Sequence, residues 1–433
     1  MNDSSTARYE NSVKWLERAE RTIPLGSQTF SKSRTSFPVG VSPLFLTRGQ
    51  GSKVWDVDGN RYIDFINGLL AVSLGYGDPD VDAAVTRQLA SGVSFSLPHT
   101  LEAEVAERIV DRVPCAEQVR FGKNGSDATA GAVRIARAYT GCDRVAVCGY
   151  HGWQDWYIGS TTRDLGVPAA TKELTHKFVY NDIDSLQRLF DEHPGQFAAV
   201  IMEPMNVVWP APGFLEAVRD RAHAHGALLI FDETITGFRY ARGGAQELFG
   251  ITPDLATFGK GVANGFPLSI VVGRREYMKL MEEIFFSFTF GGEALSLAAT
   301  RAVLDKMDSH GVLQSIHRQG QKVLDDVAAV VARHGLDQVF RLSGHPSWSF
   351  LNVADTARYS QFEIKTFLLQ EMFARGILML GTHNISYAHD DEDIRALTTA
   401  YDEVLAKLSL ALAKENLTEQ LHCKVLTPLF KVR

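Results

Sequence analysis

Helical and extended hydrophobic patterns alternate along most of this 433-residue chain. Residues 9–22 place Val13, Leu16 and Ala19 at helical spacing, which predicts an amphipathic helix. Residues 44–66 read as short strands around Asp58-Gly59-Asn60, a hairpin turn signal. From about residue 78 to about residue 275, short apolar runs follow helix-like segments. Val145-Ala146-Val147, Ala198 to Met202 and Leu228 to Phe231 are three such runs. Their alternation with helices predicts an α/β layer with a mainly parallel sheet. Residues 295–335 read as largely helical. Beyond them, Ser347–Val353 and Ile377–Leu380 read as strands, and Gln361–Arg375 and Asp390–Ala413 as amphipathic helices. The expected division is residues 1–75 as the N-terminal segment of a small α+β domain, 76–330 as a large domain, and 331–433 as the remainder of the small one.

Length supports this division, because so many residues exceed what one simple core encloses. Composition is ordinary for a globular protein, 45% hydrophobic and 22% charged. A net charge of -7 gives no support for nucleic-acid or anionic-membrane partners. No apolar run reaches the length of a membrane span. The opening Met1-Asn2-Asp3-Ser4-Ser5 lacks the basic start and apolar stretch of a signal peptide. Cys115, Cys142, Cys148 and Cys423 form no CxxC pair and no zinc spacing with histidine. Reduced thiols, no metal and a cytoplasmic location are therefore expected.

The candidate chemistry centres on Lys260, boxed by glycines in Thr257-Phe258-Gly259-Lys260-Gly261. It lies downstream of the run Leu228-Leu229-Ile230-Phe231, which ends in Asp232-Glu233. Most lysines are solvated surface groups. Flanking glycines, however, permit close approach of a ligand. A lysine that forms a Schiff base, with an acid for a ring nitrogen, is what pyridoxal 5'-phosphate (PLP) requires. Asp232 alone would read as a turn cap. Gly125-Ser126, in Gly122-Lys123-Asn124-Gly125-Ser126-Asp127, opens a predicted helix and offers N–H groups and a hydroxyl to a phosphate. Taken alone, it would read as an ordinary helix cap. Tyr150, in Gly149-Tyr150-His151-Gly152, follows a predicted strand and can stack on a flat ring. Glu203 ends another apolar run and can hold a ring substituent or a neighbouring side chain. Phe288-Thr289-Phe290-Gly291-Gly292 offers one hydroxyl and a glycine pair.

In order and spacing these segments resemble the class III aminotransferases of fold type I, and within them the glutamate-1-semialdehyde aminomutase branch. The resemblance runs from about Ile23 to about Ile394. Val54-Trp55-Asp56-Val57-Asp58-Gly59-Asn60-Arg61-Tyr62-Ile63-Asp64 is similar to the family's early hairpin. Asp232-Glu233-Thr234-Ile235-Thr236-Gly237-Phe238-Arg239 is similar to its DE-x-x-TGFR segment. The resemblance implies a PLP aminotransferase in which Lys260 carries the cofactor and Asp232 pairs with its ring nitrogen. By the same resemblance Tyr150 stacks on the ring, Gly125 and Ser126 bind the phosphate, and Thr289 contacts the phosphate across the interface of a homodimer. It implies an amino-acid donor, glutamate first, and a carbonyl acceptor.

Two departures bear on the substrate. Lys32 stands about where the aminomutases carry an arginine, and it lacks the bidentate fork. The stretch Leu380 to His389 is shorter than theirs and lacks their gating glutamate. Gln28, Lys32, His151 and Asn384 are the candidate substrate contacts. The neutral groups around Gln28 and Asn384 suit a hydroxyl-rich acceptor, and the stretch Gly26 to Ser33 resembles enzymes of amino-sugar biosynthesis. The alternatives are intramolecular transfer on a semialdehyde, a racemase or epimerase, and a catalytically silent binding protein on the same fold.

Overall fold

The computed structural model describes residues 8–427. The opening segment Met1 to Ser5 lies outside the described residues. Two compact units emerge, and each is described by itself. The first draws on the chain up to Leu69, on Leu74–Asp78 and on the chain from Gln314. The second comprises Leu70–Ser73 and Pro79–Leu313.

In the first unit the helix Glu10–Glu20 precedes three strands, β1 (Leu46–Gln50), β2 (Lys53–Asp56) and β3 (Arg61–Asp64). The β2–β3 turn falls on Asp58-Gly59-Asn60, where Asp56 Oδ1 accepts the N–H groups of Asp58 and Asn60. Gly59 sits at φ 84°, a conformation that favours glycine.

The second unit holds a seven-stranded sheet: β4 (Gln118–Gly122), β5 (Arg144–Cys148), β6 (Thr175–Lys177), β7 (Phe197–Met202), β8 (Leu228–Asp232), β9 (Leu255–Phe258) and β10 (Ser269–Gly273). Their spatial order is β4-β10-β9-β8-β7-β5-β6. The pairs β5–β6, β5–β7, β7–β8 and β8–β9 are parallel. Only β10 runs antiparallel to its neighbours β4 and β9. The C-terminal ends of β4, β5, β7, β8 and β9 therefore share one edge. Strands β7 to β10 are buried at every position, which is why they read as continuous apolar runs. The helix Gly125–Thr140 packs on the sheet through Ala128, Ala132, Ile135 and Ala136, against Val145, Val147, Ala199 and Ile201. Its small side chains let the helix axis lie close to the sheet, which fixes where its N-terminus meets the strand ends.

The first unit resumes with the helix Val312–Arg333, strands β11 (Phe340–His345) and β12 (Trp348–Val353), the helix Gln361–Ala374, β13 (Ile377–Leu378), β14 (Thr382–Asn384) and the helix Asp391–Ala413. β13 joins β3 in parallel, so the N-terminal strands and the late strands build one unit.

Two histidines are enclosed there. His383 shares protons with Ser349 Oγ at 2.9 Å and Tyr401 Oη at 2.8 Å. His389 bonds Ser386 and stacks on Phe65 at 4.7 Å. Burial pushes both imidazoles down to about 4. They stay neutral in the fold but take up protons in the unfolded chain below about pH 6.5. The unfolded state then binds more protons, so stability falls as pH drops from about 6.5 and levels off below about 4. At pH 5 the two together are expected to remove roughly 2–4 kcal/mol. Denaturant titrations at pH 7.5 and pH 5 check this, and His383→Gln is expected to flatten the difference.

Candidate active site

Four strand ends and one helix start deliver the candidate residues of the second unit to one edge of the sheet. β8 ends in Asp232, which is buried. Its Oδ1 accepts the N–H of Thr234 at 3.1 Å and the hydroxyl of Thr257, on the adjacent strand, at 3.2 Å. Its Oδ2 meets Nδ1 of His151 at 2.8 Å. Burial opposes the charge on Asp232. The hydrogen bonds from His151 and from the Thr234 N–H outweigh it and hold the carboxyl below its usual value. An anionic acid facing the sheet edge is the outcome.

Thr257 lies opposite Asp232 in the β8–β9 ladder, and Lys260 follows three residues later. Lys260 begins a short 3₁₀ turn, Lys260–Ala263, at φ 47°. That left-handed backbone is costly for a lysine and marks a position the fold holds under constraint. Gly261 has no spare room: a Cβ there would lie 2.1 Å from Ser73 Oγ, which itself donates to the Gly261 carbonyl at 3.0 Å.

The helix Gly125–Thr140 starts beside these strands. The carboxylate of Asp127 takes the N–H groups of Lys123 and Asn124. The N–H groups of Gly125 and Ser126 have no acceptor among the described residues. Thr234 bridges the two regions. Its methyl lies 3.1 Å from where a Cβ on Gly125 would sit and 3.3 Å from the same point on Gly259. Its hydroxyl is buried with no hydrogen-bond partner among the described residues.

After β5 the chain turns through Gly149 and Gly152, both at positive φ. Tyr150 is 39% exposed and meets Tyr157 edge-on at 5.6 Å. Burial, with Asp232 and Glu203 nearby, raises its phenol above the usual value. Glu203 accepts the N–H of Tyr150 at 3.0 Å and the amide of Asn206 at 2.8 Å, so it braces the tyrosine turn. Ser126 Oγ accepts the N–H of Trp153 at 3.2 Å, and a Cβ on Gly152 would come within 2.2 Å of that oxygen. The tyrosine loop and the helix start are thus tied to each other.

Sequence-based expectation and structure part at two substrate positions. His151 presents no open surface: it is 1% exposed and is spent on Asp232. Asn384 is 3% exposed. Its amide donates to Ile66 O at 2.7 Å, and its N–H to Phe65 O at 3.0 Å, because β14 lies inside the first unit. Gln28 and Lys32 are exposed, and the ammonium of Lys32 pairs with no carboxylate among the described residues. Thr289 is exposed in a loop with Phe285, Phe288 and Phe290. Sequence reasoning assigned no role to Thr234 or Thr257. The place of Thr234 two residues beyond Asp232 was the available signal.

No cluster of metal-ligating side chains occurs among the described residues, and no helix among them is long and apolar enough to cross a membrane. All four cysteines are free. The donor set instead fits a phosphorylated aromatic aldehyde. It offers free N–H groups at a helix start, a partly exposed tyrosine, a buried anionic acid, and a lysine on a constrained turn.

The chain is similar to known proteins along most of its length. The chain is 34% identical over 411 residues to a 3-aminobutyryl-CoA aminotransferase of Cloacimonas acidaminovorans, covering 93% of this chain and 98% of the relative. It is 36% identical over 431 residues to a glutamate-1-semialdehyde 2,1-aminomutase of Roseiflexus castenholzii, covering 89% and 98%. Its fold superposes on the PLP internal aldimine form of the FumI protein of Sphingopyxis sp. MTA144 with a TM-score of 0.87 at 28% identity, over 95% of this chain and 100% of that one. The sequence pattern of the class-III aminotransferases matches residues 36–388. The chain is a PLP-dependent enzyme of the class-III aminotransferase family.

Proposed function

We propose that this enzyme moves an amino group from an amino-acid donor to an aldehyde or ketone acceptor, with Lys260, Asp232, Tyr150, Gly125 and Ser126 as its cofactor residues. The convergence of Asp232, Thr257 and the Lys260 turn on adjacent strand ends carries this proposal. When bound, PLP supplies an aldehyde for Schiff-base exchange and a ring that takes up carbanion electrons.

The chain's own residues supply the rest. Gly125 and Ser126 direct their free N–H groups, and the positive end of the helix, at the phosphate. Tyr150 would lie against the ring, with Glu203 fixing its backbone. Asp232 would place an anion beside the ring nitrogen and so favour its protonated form. Lys260 would hold the cofactor and, as a free amine, would serve as the base that moves the substrate Cα proton. The reaction is ping-pong, because donor product leaves before the acceptor enters.

Glutamate is the first donor to test. Exposed Gln28 and the single cation Lys32 support an acceptor rich in hydroxyls with at most one anionic group, such as a carbohydrate-derived carbonyl. A donor screen, then an acceptor screen on the aminated enzyme, read by cofactor absorbance, tests this. Failure of every hydroxylated carbonyl beside turnover of a simple keto acid would reject the acceptor class. The likeness to the Roseiflexus aminomutase favours a second reading, intramolecular transfer on a semialdehyde. Turnover of a semialdehyde with no donor present selects it.

We also propose a homodimer. Phe285, Phe288 and Phe290 are exposed around Thr289, and Ala294 N–H bonds Val93 O at 2.9 Å, near exposed Phe95 and Leu97. So much clustered aromatic surface is suited to cover by a second copy. Light scattering is expected to give twice the 47.8 kDa chain mass. Thr289→Ala is expected to weaken cofactor binding by about tenfold. A monomer that binds cofactor at full affinity would contradict both.

A further inference from the structure

The cofactor roles above leave His151 unexplained. Its imidazole is wholly buried and meets Asp232 Oδ2 through Nδ1 at 2.8 Å. The Trp156 ring lies nearly parallel to it, at 13° and 6.4 Å, and Tyr157 meets its edge at 5.2 Å. Its carbonyl accepts the Thr129 hydroxyl at 2.8 Å. Rings and backbone together fix its orientation. Its Nε2 is buried with neither donor nor acceptor among the described residues.

Three proton placements are possible, and the surroundings separate them. With protons on both nitrogens, Nε2–H would be a buried donor with nothing to bond. With a proton on Nε2 alone, that donor is still stranded, and the Nδ1 lone pair faces a carboxylate. With a proton on Nδ1 alone, the bond to Asp232 is kept and only a bare lone pair goes unmatched, which is the lesser cost.

We infer that His151 is a positioning residue that holds Asp232 as a neutral Nδ1–H donor, so that the carboxylate keeps its full negative charge for the cofactor's ring nitrogen. Three acceptor positions of Asp232 are taken, by Thr234 N–H, the Thr257 hydroxyl and His151. A carboxylate has about four. The remaining one, on Oδ2, is left for the ring. An imidazolium in the same place would neutralise the anion that the ring needs. The inference rests on the cofactor assignment above.

Nitrogen NMR on the full-length chain with labelled histidine tests the proton placement directly. His151 is assigned by the signal lost in His151→Asn. One protonated and one bare nitrogen are expected. Two protonated nitrogens would overturn the inference.

Cofactor affinity gives an independent readout. His151→Asn retains an N–H near the Nδ1 position, whereas His151→Phe removes it. The Phe variant is expected to bind PLP about tenfold or more weakly, and the Asn variant within about threefold of wild type. A Phe variant that binds like wild type, or an Asn variant as weak as Phe while melting normally, would refute positioning. If even the unaltered chain binds no PLP, the cofactor assignment fails, and the NMR result still decides the proton placement.

Discussion

Lys260→Ala is expected to lower the rate of the first half-reaction by about 100- to 10,000-fold, the range a positioned general base supplies. Two functions are lost with the amine. One is the covalent anchor, so the variant should release its cofactor more readily. The other is the only base that the fold brings to the Cα proton by this account. Lys260 is held on a left-handed turn braced by Gly261 and Ser73, and alanine tolerates that backbone about as well as lysine does. The fold should survive, so lost activity would report chemistry. Single-turnover absorbance with saturating donor checks it. A variant within tenfold of wild type would remove Lys260 from the chemistry.

Asp232→Asn is the second large effect. Asparagine keeps the size of the side chain, and its oxygen can still accept from Thr234 and Thr257, but its NH2 then faces His151 as a donor. What it loses is charge and the acceptor for His151. The ring nitrogen then has no anion to hold its proton, and the electron sink weakens at the moment the Cα proton leaves. Losing such a preorganised electrostatic partner costs about 100- to 1,000-fold in kcat. Cofactor binding should weaken by about tenfold, as for His151→Phe, because Gly125 and Ser126 still hold the phosphate, so the larger fall should appear in kcat. Equal losses in both would point to collapse of the loop that carries Asp232.

Much of this site could be read from the chain because its residues stand at strand ends. An apolar run that stops at an acid is a local signal, and Leu228–Asp232 carries it. Glycines around a lysine are equally local. The alternating runs from Val145 to Phe258 likewise foreshadowed a parallel sheet. Tertiary pairing was not legible. His151 meets Asp232 across 81 residues, so its burial could not be read from its loop. Asn384 looked like a polar loop residue because its partners, Phe65 and Ile66, lie on a distant segment. Glu203 was open to a ring substituent or a neighbouring side chain, and its tie to the Tyr150 turn, 53 residues away, was not legible. Thr234 was overlooked because a lone hydroxyl after a strand carries no signal until its neighbours are known.

The most direct test of the central claim is to reduce the freshly purified enzyme with borohydride, digest it and map the modified peptide by mass spectrometry. A pyridoxyl group fixed on Lys260, and on no other lysine, is the predicted result. An unmodified Lys260 peptide, or the label on a different lysine, would contradict the account.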